Sequence, residues 1–348
     1  MNAPDLSVDI CGAHLRNPTV LASGILGLSE DLLIRVGEAG AGAVVTKSCG
    51  LAPRAGYPNP VVADWGAGLI NAVGLSNPGV DATMEEIRTA KRVLKPKGVA
   101  VIASIFAESV WDFGVVAQKI SPAAPDLIEV NISCPNVEHE FGQFFCATPY
   151  VAAQVTRRVK QCTDIPIIVK LSPNEANIAE IARAVVDAGA DAVSAVNTLG
   201  PGMVLDIESR APVISNRIGG ISGPAIHPIA VRCVNDIARA IASHRLPGSQ
   251  SDHGAKAIGD ALRVNVPIIG IGGNATARDA IEMIIAGASA VGIGSAIYSR
   301  GLDVFAETTR GIAEYMRRHD YARLDDFRGR VVETAPAAGI RLTQESHQ

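Results

Sequence analysis

Short apolar runs alternate along the chain with longer segments whose apolar positions recur every three or four residues. The runs predict eight strands: Thr19–Ala22, Ala43–Thr46, Val99–Ser104, Leu127–Asn131, Pro166–Lys170, Ala192–Asn197, Pro267–Ile271 and Ala290–Ile293. The amphipathic segments between them predict helices, among them Ser29–Ala39, Asp81–Leu94, Tyr150–Gln161, Ile178–Ala188, Pro228–Ser243 and Ala277–Ala286. DAGADAV (187–193) and IAGASAV (285–291) read as helix ends that run straight into a strand with glycine at the C-cap. EAGAGAV (38–44) repeats the device. Eight such units in series favour a closed (β/α)₈ TIM barrel, with a doubly wound open sheet as the competing topology.

Three segments depart from an ideal barrel. Ser7–Leu15 alternates and predicts a small N-terminal hairpin closing the barrel bottom. Ser48–Val80, rich in Gly, Pro and Asn, reads as a long loop on the C-terminal face, within reach of substrate. Ser243–Val266 is a polar insert ahead of the seventh strand, hence a surface elaboration or partner contact on the opposite face. One domain over residues 1–348 is expected, with 319–348 as a C-terminal extension.

Composition narrows the class. Hydrophobic residues are 48% and charged residues 19% of the 348, ample for a large core and unlike a disordered chain. A net charge of −4 leaves no basic footprint for nucleic acid. No apolar run approaches the roughly 20 residues that span a bilayer, and MNAPDLSVDI lacks the positive start of a secretory signal. The six cysteines are scattered with no C-x-x-C pair, which argues against a disulfide scaffold or structural zinc. No His, Asp and Glu spacing predicts a metal site, and the G-x-S-x-G elbow is missing. A cytoplasmic enzyme is the expectation.

Barrel chemistry gathers where strands end. Those ends carry Ser23 in LASG, Lys47 in VVTKS, Asn131, Cys134 and Asn136 in EVNISCPN, and Lys170 in IVKLSPN. Further on come Asn197–Thr198 in AVNTLG, Gly272–Gly273 in GIGGN, and Gly294–Ser295 in GIGSA. A barrel built for packing alone has no need of two lysines and two asparagines there, because burying them without partners costs several kcal/mol each. The glycine turns after the last two strands offer backbone N–H groups to an anion, the usual phosphate position of such barrels. G-x-G-x-x-G is not matched, which disfavours a Rossmann nicotinamide site. Cys134 lies between two asparagines suited to a flat polar ligand, opposite Lys47 and Lys170, whose ammonium groups favour a thiolate base or nucleophile. Cys146, in GQFFCATPY, is its rival. His227 follows GGISGPAI and reads as structural; His139 reads as solvated.

TKSCGLAPRAGYPNP, INAVGLSNPG, EVNISCPNVEHEFG, VKLSPN, VNTLG, GGISGPAI, PIIGIGG and AGASAVGIGSA together resemble the class 1 dihydroorotate dehydrogenases, from about residue 7 to 318. The Cys of N-x-S-C-P-N marks the soluble branch, and EVNISCPNVEHEFG looks closer to its NAD-linked form. The resemblance implies FMN held by Ser23, Lys47, Asn131, Lys170, Asn197, Gly223, Gly272, Gly273, Gly294 and Ser295. It implies a pyrimidine clasped by Lys47, Asn71, Asn131, Asn136, Asn197 and Thr198. Cys134 is then the base, with Lys47 and Lys170 stabilising developing charge. Dihydroorotate would be oxidised to orotate in de novo pyrimidine biosynthesis. A homodimer and a separate iron–sulphur/FAD electron-transfer subunit are the implied partners. Two other readings stand beside it: a dihydropyrimidine dehydrogenase subunit acting on uracil or thymine, prompted by Cys146, and a flavin-free barrel with a binding role.

Overall fold

The computed structural model describes residues 3–133, 145–243 and 266–332. Its strands are β1 (Val8–Ile10), β2 (Ala13–Leu15), β3 (Thr19–Leu21), β4 (Ala43–Val45), β5 (Val62–Asp64), β6 (Leu69–Asn71), β7 (Ala100–Ile105) and β8 (Leu127–Asn131). They continue with β9 (Ile167–Leu171), β10 (Ala192–Ala195), β11 (Leu199–Gly202), β12 (Leu205–Asp206), β13 (Ala211–Pro212), β14 (Gly219–Ser222), β15 (Ile268–Ile271) and β16 (Ala290–Ile293). Strands β3, β4, β7, β8, β9, β10, β15 and β16 pair in that order, and β16 returns to β3 in a closed parallel barrel. This is the singly wound barrel, not the open sheet, and its strands match the expected runs with ends moved by a residue or two.

Buried on both faces, these strands read as continuous apolar runs; all of β7, AVIASI, is buried. The helices are α1 (Glu30–Glu38), α2 (Val80–Leu94), α3 (Val110–Ile120), α4 (Pro149–Lys160), α5 (Ile178–Asp187), α6 (His227–Ala242), α7 (Ala277–Ala286), α8 (Ala296–Arg300) and α9 (Asp303–Arg318). Several start where a hydroxyl accepts a free backbone N–H: Ser29 from Leu32, Ser109 from Asp112, and Thr148 from Val151. Thr276 and Asp279 form a reciprocal capping box at α7. The longer helices turn an apolar stripe to the barrel, as α9 does with Val304, Phe305, Ile312 and Met316.

At the bottom, β1 and β2 form the expected hairpin, pairing Val8 with Leu15, and bury Val8, Ile10, Ala13 and Leu15. The Cys11 thiol donates to the Asp191 carbonyl ahead of β10, at 3.2 Å. Beyond α9 the chain packs back: Leu324 and Phe327 are buried, and the Gly329 N–H donates to the Ile284 carbonyl at 3.1 Å.

The top differs from expectation. The segment read as a loop, Ser48–Val80, contains β5 and β6, which join β14 and β11 in an antiparallel sheet ordered β11-β14-β6-β5. Ile70, Ala72 and Ile214 give it a small core of its own. Three-residue strands amid Gly and Pro, one of them paired with a strand 149 residues away, leave little periodic signal. Nearly all of the 243–266 insert lies outside the described residues. Among the described residues no helix is long and apolar enough to cross a membrane.

Candidate active site at the barrel mouth

Parallel register places the inward-facing polar residues of neighbouring strands side by side. Ser104 on β7 pairs with Glu129 on β8, Asn131 with Lys170 on β9, and Lys170 with Ser194 on β10. Glu129 and Lys170 are 2% and 4% exposed, so both charges are withdrawn from water. Their neighbours compensate. Ser104 donates to Glu129 Oε1 at 3.1 Å and Ser194 to Oε2 at 3.0 Å, while Lys170 Nζ stands 3.7 Å from Oε1.

The network climbs toward the mouth. Ser104 and Ser48 share a hydrogen bond at 2.9 Å, and Asn131 Nδ2 donates to Ser48 Oγ at 3.1 Å. Ser23 donates to the Thr46 carbonyl at 2.8 Å. Asn197 Nδ2 donates to Ser133 O and Oγ, both at 3.0 Å, and the Thr198 N–H donates to Asn197 Oδ1 at 2.9 Å. From the top sheet, Asn71 Nδ2 donates to the Gly220 carbonyl at 3.3 Å. Every one of these carboxamides is therefore held in a set orientation.

The opposite wall is backbone. Gly273 sits at φ +70°, and a Cβ there would lie 2.7 Å from His227 Cβ and 2.8 Å from the Gly223 carbonyl oxygen. At Gly272, φ +134°, it would meet Ala230 Cβ at 2.5 Å. Only glycine permits this path, which keeps side chains out of a cradle beside the N-terminal ends of α6 and α7. His227 supports it from behind, with Nδ1 2.8 Å from the Gly272 carbonyl oxygen. Buried Asn274 ties β15 to β16, donating to the Gly270 and Gly292 carbonyls at 2.9 Å each.

These surfaces enclose a cavity of about 200 Å³. Ser23, Lys47, Asn71, Asn131, Lys170 and Asn197 line it on one side. Thr198, Gly223, Gly272, Gly273, Gly294 and Ser295 complete it. Every expected site residue within the described segments thus meets in one place. Cys134 and Asn136 lie outside the described residues. Cys146 is not in the lining. It is buried, and desolvation with the nearby Glu175 carboxylate pushes its thiol up to about 12.

Sequence reasoning missed Ser48, Asn274 and Glu129. For Glu129 a signal existed: one charged residue inside the buried run LIEVN. The ensemble suits a flat heterocycle with a polar edge and an anionic tail. Lys170 brings an ammonium with no acceptor in hydrogen-bond range among the described residues. The carboxamides bring paired donors and acceptors, and the glycine cradle takes an anion. Among the described residues, no group of His, Cys, Asp or Glu could hold a metal ion.

Comparison with known proteins agrees with this chemistry. The chain matches the family described as Dihydroorotate dehydrogenase over residues 5–247 and 256–316. It is similar to the dihydroorotate dehydrogenase B (NAD(+)) catalytic subunit of Methanothermobacter thermautotrophicus, 40% identical over 324 residues, covering 93% of this chain and 97% of the relative. The Methanosarcina mazei protein of the same description is 41% identical over 325 residues, 93% of this chain and 94% of its own. That of Pyrococcus abyssi is 40% identical over 324 residues, 93% and 98% respectively.

Proposed function

The chain belongs to the dihydroorotate dehydrogenase family, and on that premise we propose that it oxidises dihydroorotate to orotate, with FMN, in pyrimidine biosynthesis. The observation that carries this reading is the single cavity that gathers both lysines, the oriented carboxamides and the glycine cradle. Bound FMN supplies a ring that accepts the substrate hydride. Ser23, Lys47, Asn131, Lys170 and Asn197 would hold the ring side of FMN. Gly223, Gly272, Gly273, Gly294 and Ser295 would take its phosphate end.

The chain's own residues do the rest. Asn71, Asn131, Asn136, Asn197 and Thr198, with Lys47, clasp the pyrimidine by matching donors to carbonyls and acceptors to ring N–H groups. Cys134 takes the C5 proton as general base. Lys47 and Lys170 place positive charge where negative charge develops, in a site shielded from water. Around this site we place one catalytic domain, a homodimer in the cytoplasm, and a separate iron–sulphur/FAD subunit. The relatives' description as catalytic subunits of a B (NAD(+)) enzyme supports that separate subunit.

The test is anaerobic mixing of the purified chain with dihydroorotate, followed by flavin absorbance. Bleaching by dihydroorotate, and not by dihydrouracil or dihydrothymine, is expected. Bleaching by the latter pair alone would move the substrate to the uracil and thymine class. A colourless protein would leave a flavin-free barrel.

A further inference from the structure

Barrel interiors of this class are filled mainly by branched apolar side chains. Here neighbouring interior positions hold a carboxylate and an ammonium instead, on adjacent strands β8 and β9 and two residues apart in register. Stability is a poor reason for them, because a buried ion pair is often matched or bettered by apolar residues of the same volume. Glu129 is absent from the cavity lining, whereas Lys170 is part of it. Glu129 therefore reaches the site only through its neighbours. Its two oxygens are pinned from opposite sides by the hydroxyls of Ser104 and Ser194, so the carboxylate has one orientation. Lys170 Nζ is 3.7 Å away: near enough to feel the charge, too far to spend a hydrogen bond on it. The ammonium keeps its donors for whatever occupies the cavity.

We propose that Glu129 is a positioning residue that fixes the Lys170 ammonium at the cavity wall and offsets part of its charge, thereby lowering the reduction potential of the bound flavin. The proposal rests on the FMN reading above. A full uncompensated cation beside the ring favours its reduced, more negative form. The carboxylate tempers that preference, so electrons pass onward more readily.

Glu129→Gln keeps the shape and removes the charge. The readout is the midpoint potential of bound FMN at pH 7, measured by dye equilibration without substrate. The variant should hold reduced over oxidised flavin at least roughly tenfold more tightly than wild type, an upward shift of about 30 mV. Glu129→Asp, which retains charge, should lie between the two. A folded, FMN-loaded Glu129→Gln at the wild-type potential would overturn the inference and leave the function reading intact. Wild-type protein unable to bind FMN would overturn both. If Glu129→Gln does not fold, Glu129→Asp decides: a folded, flavin-loaded Glu129→Asp with a potential above wild type supports the pairing, and one at the wild-type potential overturns it.

Discussion

The Cys146 thiol faces the Glu175 carboxylate at 3.9 Å in a buried pocket. Desolvation, helped by that negative charge, lifts the thiol to about 12, so almost none is thiolate at neutral pH. As a base it is disarmed. Cys146→Ser should therefore leave the rate of flavin reduction by dihydroorotate within about twofold of wild type. Cys134→Ser should retain FMN yet slow the same step by on the order of 10²–10⁴, the usual contribution of a positioned base. Stopped-flow absorbance separates them, and the reverse result would make Cys146 the base. Residues at strand ends were legible because a polar or cationic side chain closing an apolar run has few other uses; Lys47, Lys170, Asn131 and Asn197 all meet in one cavity. The charge of Glu129 inside LIEVN was a visible signal, but its role was not, because its partners Ser104 and Ser194 sit on other strands that only the fold brings together.

Helices α1 and α2 contribute a different kind of titrating group. Glu86 on α2 is half-buried near Glu30 of α1, and burial first, then the like charge, raises its carboxyl from the ordinary 4.5 to about 7. Between those two values the folded chain binds more protons than the unfolded one, so this group makes stability fall as pH rises through that window. Glu86→Gln should abolish that fall and stabilise the protein above pH 7 relative to wild type. Urea midpoints at pH 5 and pH 8 would show it; an unchanged difference between the two pH values refutes the assignment. Barrel strands and their helices announced themselves, since burial on both faces gives β7 and β8 mostly apolar runs and α9 a clear stripe. Strands β5, β6, β11 and β14 did not: each is short, and the two local pairs are joined into one sheet by the β6–β14 pairing, remote in sequence.

For the whole molecule, the proposed iron–sulphur/FAD subunit would carry away electrons gained at the mouth. The six cysteines are scattered and no nicotinamide fingerprint is present. The purified single chain should reduce artificial dyes with dihydroorotate but not NAD, and adding an iron–sulphur/FAD subunit should restore NAD reduction. Robust NAD reduction by the chain alone would defeat this, and efficient fumarate reduction would point to a different oxidant. The four-stranded sheet at the mouth joins segments that are distant in sequence. Asn71 on β6 and Gly220 on β14 meet although 149 residues separate them. That pairing holds β6 to β14, and Asn71 lines the cavity from it. A substitution that breaks this register would therefore loosen a residue of the site while leaving every strand of the barrel wall in place.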